Sequence, residues 1–413
     1  MPRYSSTSPL PSLRHDINAY EVLPGIIRLV DELGYTDAMV HVPIELIELM
    51  LEMDGRRSVD DLLSIHRQAP QGTSVEKLLG MIETLDDEGF LESESFARRR
   101  ARIHDEYNAL PVRPAMFAGS SYPNDPVTLR AFIDDCLRDG AAAAGESAES
   151  SAVPFGIIVP HLDPSLCGKT YGAAYHAIRK SDADTFIILG VPHRMSYDRF
   201  IFSRMDFETP IGRLETDRAF IDHFRAGLTT PLTSDEIAHM PEHSIEFQTI
   251  FLRHLFNDRP IRIVPILAGS LYNYVESGLG GADRDEALSE LYGKLTETAT
   301  ALGRKVCWIV SVDFCHVGRK FDDPVAASTL FEEVRAHDMA MVAETIEGDA
   351  EGFLAGLTAV RNRYRVCGVA PMYAFLRAAA PVRGTLLSYD IWDESEQESA
   401  VSYGAVAFHT ENA

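Results

Sequence analysis

From Phe155 to the end of the chain, short unbroken apolar runs alternate with amphipathic stretches, and this alternation narrows the fold more than any other feature of the sequence. The runs are FGIIVP, TFIILG, RIVPILAG, VCWIVSVDF, TLLSYD and AVSYGAVAFHT. Between the first two, GKTYGAAYHAIRK repeats its apolar residues at helical spacing. A strand that is apolar on both faces must be covered on both, which is the condition inside an α/β sheet. The last two runs follow one another without a helix between them, so part of the sheet is predicted to be antiparallel.

The first hundred residues read differently. Between Pro43 and Leu91 the segments IELIELMLEMDG, SVDDLLSIH and SVEKLLGMIETLDDEGFLES carry helical periodicity. Gly55 and Gly89 stand where C-terminal caps belong, and Ser58 precedes an acidic first turn as an N-cap does. Three helices ending in a strand-like GFLES resemble a winged-helix module of the PqqD type, which implies peptide or partner binding, with a stability appendage as the alternative. ARRRARIHDEYN, at 97–108, reads as a charged connector. The predicted organisation is therefore a helical module at 1–104 followed by an α/β domain at 105–413. Gly140 to Pro154, GAAAAGESAESSAVP, has linker composition and is predicted to be a surface loop inside the second domain.

Charge excludes one class of partner. With 62 acidic and 38 basic side chains the net charge is -24, which repels phosphate backbones and anionic lipid. His41 to Ser95 alone holds 13 Asp/Glu against 4 Lys/Arg, so the N-terminal module is not a DNA reader. No run approaches the length of a membrane helix, and the first residues lack the apolar core of a secretory signal, so a cytoplasmic protein is expected. The five cysteines are scattered and odd in number, which argues for reduced thiols.

Three of the buried runs end on residues able to bind metal. FGIIVP is followed by His161, TFIILG by Val-Pro-His193, and VCWIVSV by Asp313-Phe-Cys-His316. Ligands of open α/β sheets bind outside the carboxyl ends of strands, so these side chains converge if the strands are parallel neighbours. A single histidine at a strand end more often bonds a carbonyl; several together favour a site. Glu242 and His243 open a helix with Glu246 one turn on, and imidazole at a helix N-terminus stays neutral, fit to act as base or ligand. Cys367 begins CGVAPMYAFLRAAA after the basic RNRYRV, where Arg361, Arg363 and Arg365 are predicted to favour the thiolate.

Taken in order, IIVPH at 157–161, FIILGVPH at 186–193, EHSIE at 242–246, SVDFCHVG at 311–318 and VCGVAP at 366–371 resemble the Memo family, whose bacterial members are called AmmeMemoRadiSam system protein B. FAGSSYP at 117–123 is similar to the opening signature of that family, and the likeness spans about 105 to 413. It implies a mixed-sheet fold like that of class III extradiol dioxygenases. It further implies a metal pocket held by His161, His193 and Cys367 and lined by Asp313, His316 and His243. Two departures alter the substrate-facing wall: Leu162-Asp163-Pro164 follows the first histidine, and Ser121 stands where the family has an aromatic residue.

On this reading Fe(II) is the expected metal, with copper or zinc as alternatives, and the chemistry is metal-dependent redox on a small molecule or peptide. His243, His316, Asp313 and Glu242 are the candidate catalytic residues, the histidines moving protons and Asp313 orienting the ligands. Among enzymes, a zinc hydrolase with His243 or Glu242 as base is the second reading. A non-enzymatic peptide-binding protein is the third, with radical SAM and AMMECR-type proteins as the partners that the family name implies.

Overall fold

The computed structural model describes residues 3–31, 33–65, 74–144, 152–194, 199–232 and 236–410. The chain divides into two compact units, Met1–Leu110 and Pro111–Ala413; the boundary expected near 105 falls in the last helix of the first.

That first unit begins with a sheet the sequence did not announce. β1 (Ile17–Leu23), β2 (Ile26–Asp31) and β3 (Met39–Pro43) form an antiparallel meander. Their residues are mostly half-buried or exposed, so the period-two alternation that marks a strand is blurred. Helices α1 (Ile44–Leu51), α2 (Val59–Ile65) and α3 (Val75–Asp87) follow, as expected. Gly55 and Gly89 adopt the left-handed φ of C-terminal caps. Ser58 Oγ accepts from Asp61 N while Asp61 accepts from Ser58 N, a reciprocal capping box. Two expectations are corrected. The supposed connector is helix α4 (Glu94–Asn108), started by the Ser93 side chain accepting from Phe96 N. No wing forms at GFLES, where Leu91 makes a single bridge to Leu13, so a sheet precedes the helices instead of following them.

The second unit is a ten-stranded mixed sheet flanked by helices. In chain order it runs α5 (Pro126–Ala144), β4 (Gly156–Val159), α6 (Pro164–Ile178), β5 (Thr185–Gly190), β6 (Phe200–Phe202), β7 (Phe207–Thr209), β8 (Gly212–Thr216), α7 (Arg218–Ala226) and α8 (His243–Leu255). It continues through β9 (Arg262–Ala268), α9 (Tyr272–Val275), α10 (Glu286–Ala301), β10 (Val306–Ser311), β11 (His316–Gly318), α11 (Phe331–Ile346), α12 (Ala350–Ala359), α13 (Val369–Ala379), β12 (Val382–Glu394) and β13 (Ser399–Thr410). The first five residues of the Gly140–Pro154 stretch extend α5; residues 145–151, where a loop was predicted, lie outside the described residues.

The strand order is β11-β13-β4-β10-β5-β9-β8-β7, with β12 on β13 and β6 on β9. β4, β10, β5, β9 and β8 are parallel neighbours, whereas β13 pairs antiparallel with β4 and with β12. The apolar runs explain this centre. Successive side chains alternate faces, so Ile158, Ile187, Leu189, Val264 and Val310 pack into one core layer. Ile157, Val159, Ile188, Ile263 and Ile309 pack into the layer on the opposite face. With β10 seated between β4 and β5, the residues that follow these three strands emerge side by side.

Candidate metal centre

His161, one residue past Pro160 at the end of β4, is buried, and its Nδ1 lies 3.0 Å from the Ser311 carbonyl. That acceptor fixes Nδ1 as the protonated nitrogen and leaves the Nε2 lone pair free to bind. His193, beyond β5, receives the same treatment from a carboxylate: Nδ1 is 3.0 Å from Glu242 Oε1, and its backbone N–H donates to Oε2 at 3.0 Å. His243 opens α8, with Nδ1 3.4 Å from Glu242 Oε1.

The three rings meet. Centroids lie 4.8 Å apart for His161 and His193, 5.2 Å for His161 and His243, and 4.4 Å for His193 and His243. One ligand atom from each falls within 4.8 Å of the others, a grouping able to hold a metal ion. Cys367 Sγ adjoins the cluster 3.4 Å from His161 Nε2 and 3.5 Å from the Asp313 carbonyl oxygen. Asp313 accepts from the N–H groups of His161 and Leu162 on Oδ1, at 3.0 and 3.1 Å, and sets Oδ2 3.5 Å from His161 Nε2. His316 stands further along the same loop, its Nδ1 3.1 Å from the carbonyls of Phe314 and Arg365.

The EHSIE segment assembles this geometry residue by residue. Glu242 is the N-cap of α8, accepting from Ser244 N at 2.8 Å. Ser244 Oγ bonds the N–H and the carbonyl of Val191 just beyond β5, both at 3.1 Å. Gln248 Nε2 donates to Pro160 O at 3.0 Å and Ser311 Oγ at 2.7 Å, tying α8 to the ends of β4 and β10. The Glu246 carboxylate is turned away from the imidazoles that Glu242 serves. It is buried against Arg113, Tyr122 OH and the N–H groups of Met116 and Phe117. Arg113 in turn donates to the carbonyls of His239, Met240 and Glu242, bracing the turn that presents Glu242 and His243. Phe117 closes the other side, edge-on to His243 at 5.8 Å. Sequence reasoning singled out neither Arg113 nor Gln248. The faint available signal was an arginine two residues before the apolar AMF, in a segment otherwise without charge.

Electrostatics keep two of the imidazoles neutral. Burial, reinforced by the neighbouring histidine charges, pushes His161 and His243 down to about 3. Burial also opposes charge on His193, but Glu242 outweighs it and holds that pKa above the usual histidine value. Glu242 is held well below the usual carboxylate range, because His193 overcomes the cost of burial. Burial raises Asp313 and lowers His316.

The thiolate expectation for Cys367 is overturned. Burial, then the charge of Asp313, lifts the thiol well above its usual value. The three arginines turn elsewhere: Arg365 Nη2 pairs with Asp323 at 3.0 Å, Arg363 lies over the Tyr364 ring, and Arg361 packs beside Gly278. Nor does Cys367 begin a helix; α13 starts at Val369, capped by Gly368. A Cβ at Gly368 would stand 2.7 Å from Val312 Cβ, so its absence lets the segment close on the end of β10 and bring Cys367 to Asp313.

A cavity of about 750 Å³ opens beside the cluster, lined among others by His193, Arg194, Tyr272, Glu276, Arg365 and Cys367. Its size is that of a small-molecule site. Among the described residues, the buried Glu276 Oε2 has no hydrogen-bond partner.

A parallel-centred mixed sheet with imidazoles gathered beyond the carboxyl ends of β4 and β5, on either side of β10, defines an α/β protein with a candidate metal pocket at its strand ends. Residues 113–407 match the family described as Memo-like protein, and the chain belongs to that family. It is 28% identical over 383 residues to a MEMO1 family protein of Aquifex aeolicus, covering 92% of this chain and 95% of that one. Similar proteins include a MEMO1 family protein of Thermus thermophilus, 28% identical over 80% of this chain and 92% of its own. Another, from Pyrococcus furiosus, is 27% identical over 67% of this chain and 91% of its own length. No helix among the described residues is long and apolar enough to cross a membrane.

Proposed function

We propose that this chain is a metal-dependent redox protein that acts on a small molecule or short peptide seated in the cavity beside His193 and Cys367. The observation that carries this reading is the meeting of His161, His193 and His243 within 4.8 Å, from three separated segments, with two rings oriented by acceptors behind them. Structural histidines at strand ends have no need to converge, and the two rings that burial keeps neutral, His161 and His243, suit a ligand set.

The donor set fits Fe(II), with copper second: imidazole serves both metals, and a sulfur at the edge of the cluster favours Cu(I). Such a metal supplies one-electron chemistry and open positions for substrate or oxygen. The chain's own groups do the rest. Glu242 fixes the His193 ring; with Oε1 and Oε2 engaged by His193 and Ser244 it is a positioning residue, which argues against its use as a hydrolytic base. His243, held neutral by burial and set beside Glu242, completes the imidazole set. Asp313, its carboxyl raised by burial, sets Oδ2 3.5 Å from His161 Nε2 and so lies where it exchanges a proton with the site most directly. Arg194 on the cavity wall favours a substrate carrying a carboxylate or other anionic group.

Metal analysis under anaerobic conditions tests the proposal. Wild type is expected to bind Fe(II), His161→Ala/His193→Ala to lose it while staying folded by circular dichroism, and Cys367→Ser to weaken Cu(I) far more than Fe(II). A double variant that binds Fe(II) as well as wild type would refute the site. Substrate-dependent oxygen uptake separates redox from hydrolytic chemistry.

A further inference from the structure

Separate from the imidazole cluster, three more potential ligand atoms converge at Cys315 in the loop after β10. Cys315 Sγ lies 3.5 Å from His337 Nδ1 and 3.0 Å from Asp338 Oδ1, and His337 Nδ1 is 4.0 Å from Asp338 Oδ1. We propose that Cys315, His337 and Asp338 form a second metal site, selective for a thiophilic divalent cation of the zinc type.

The triangle has the size such an ion requires. Zinc bonds of about 2.3 Å to sulfur and 2.0–2.2 Å to nitrogen and oxygen, arranged tetrahedrally, place donor atoms about 3.4–3.6 Å apart. The observed edges scatter around that length, and shifts of a few tenths of an ångström bring all three onto it. Thiolate, imidazole and carboxylate together are a zinc set, whereas magnesium and calcium take oxygen alone.

The site is also built. His337 and Asp338 are consecutive on α11, where side chains point about 100° apart, yet both turn their polar atoms toward one sulfur. Cys315 is held at both backbone ends, its N–H donating to Ser402 Oγ at 2.9 Å and its carbonyl accepting from Ser402 N at 2.9 Å. Behind Asp338, Tyr389 OH donates to Oδ2 at 2.7 Å, the outer hydrogen bond that orients a ligating carboxylate. The Cys315 and Asp338 side chains are buried, and the His337 side chain keeps 14% of its exposure, which leaves a route for an ion and a fourth position for water.

On binding, the Cys315 thiol gives its proton to solvent, and its bond to Asp338 Oδ1 is replaced by sulfur–metal and oxygen–metal bonds. The ion joins the loop after β10 to α11 and, through Tyr389, to β12.

The proposal stands on this geometry alone and is tested apart from the imidazole cluster by working in full-length Cys367→Ser protein, which removes the thiol of that cluster. Titration with Co(II) is expected to give a thiolate-to-metal charge-transfer band. The band should vanish in Cys367→Ser/Cys315→Ser, together with about one equivalent of bound Zn(II). In Cys367→Ser/His337→Ala, Zn(II) affinity should fall at least about tenfold, and Tyr389→Phe should cost about tenfold. A folded Cys367→Ser protein without the band, or a band that survives Cys315→Ser, would mean a hydrogen-bonded triad only. Should Cys315→Ser fail to fold, the half-buried His337→Ala decides, and unchanged Zn(II) affinity there overturns the site.

Discussion

Arg113 braces the site from behind, through the backbone of Glu242. Its side chain is fully buried and shares with Glu246 a pairing that draws in Tyr122 and the 116–117 backbone, while its other N–H groups hold the 239–242 turn. Replacing Arg113 by Met leaves Glu246 buried without its cation, so a loss of about 3–5 kcal/mol is expected in denaturant unfolding. Arg113→Met/Glu246→Gln should recover part of it, since the stranded charge is gone. A single variant as stable as wild type would show that the pair contributes nothing. Asp206 offers a pH-dependent counterpart. Burial works against its charge, but the Thr216 N–H at 2.8 Å, Arg213 and Arg218 outweigh it and hold its pKa below the usual 3.8. A depressed carboxylate stabilises the fold above its unfolded value and loses that contribution as pH falls through its folded value. Asp206→Asn is therefore expected to cost about 1–3 kcal/mol at neutral pH and almost nothing well below pH 3.8. Urea titrations at the two pH values measure the difference, and an equal cost at both would contradict the assignment. The thiol of Cys367 carries the opposite lesson. Nearby arginines in sequence predicted a thiolate, but the direction of a side chain is not written in its position, and the group that reached the sulfur was Asp313.

Elements were legible in proportion to how completely they are buried. β4, β5, β9 and β10 declare themselves because both faces are covered, and the hairpin of β12 and β13 because no helix separates them. β6, β7 and β11 are three residues long, too short for any period to register. The meander of β1, β2 and β3 was missed because much of it faces solvent. The crossing of α5 and α6 was invisible for another reason: it depends on what is missing. Gly168 and Gly172 lie one turn apart on α6, and a Cβ on Gly172 would stand 1.7 Å from the Cys136 carbonyl oxygen of α5. Backbone meets backbone there, and no neighbouring side chain can swing aside to make room. Gly172→Ala must force the helices apart and is expected to cost about 3 kcal/mol or more. The readout is a lower urea midpoint at unchanged slope; Gly293→Ala, inside α10 where an added Cβ meets nothing within 4 Å, serves as the control, expected to be slightly stabilising through helix propensity. Equal stability of the two variants would remove the close-packing argument.

At the scale of the whole molecule, the family match and the compact α/β unit begin at nearly the same residue. The Aquifex aeolicus relative aligns over 92% of this chain and so extends into the N-terminal unit, whereas the Pyrococcus furiosus relative spends 91% of its own length on 67% of this one. The family match begins at residue 113, just past the boundary at Leu110 and Pro111. Every residue of the imidazole cluster, with Arg113, Cys367 and the Cys315 triad, lies within Pro111–Ala413. The two core layers on either side of the large sheet are likewise drawn from that unit alone. A fragment of residues 111–413 should then fold on its own, unfold in one cooperative transition, and bind Fe(II) with the affinity of the full chain. Calorimetry and anaerobic titration of fragment against full-length protein check this. Loss of cooperative unfolding in the fragment would show that the N-terminal unit contributes to the stability of the α/β unit. A cooperative fragment with weakened Fe(II) binding would show that it shapes the site instead.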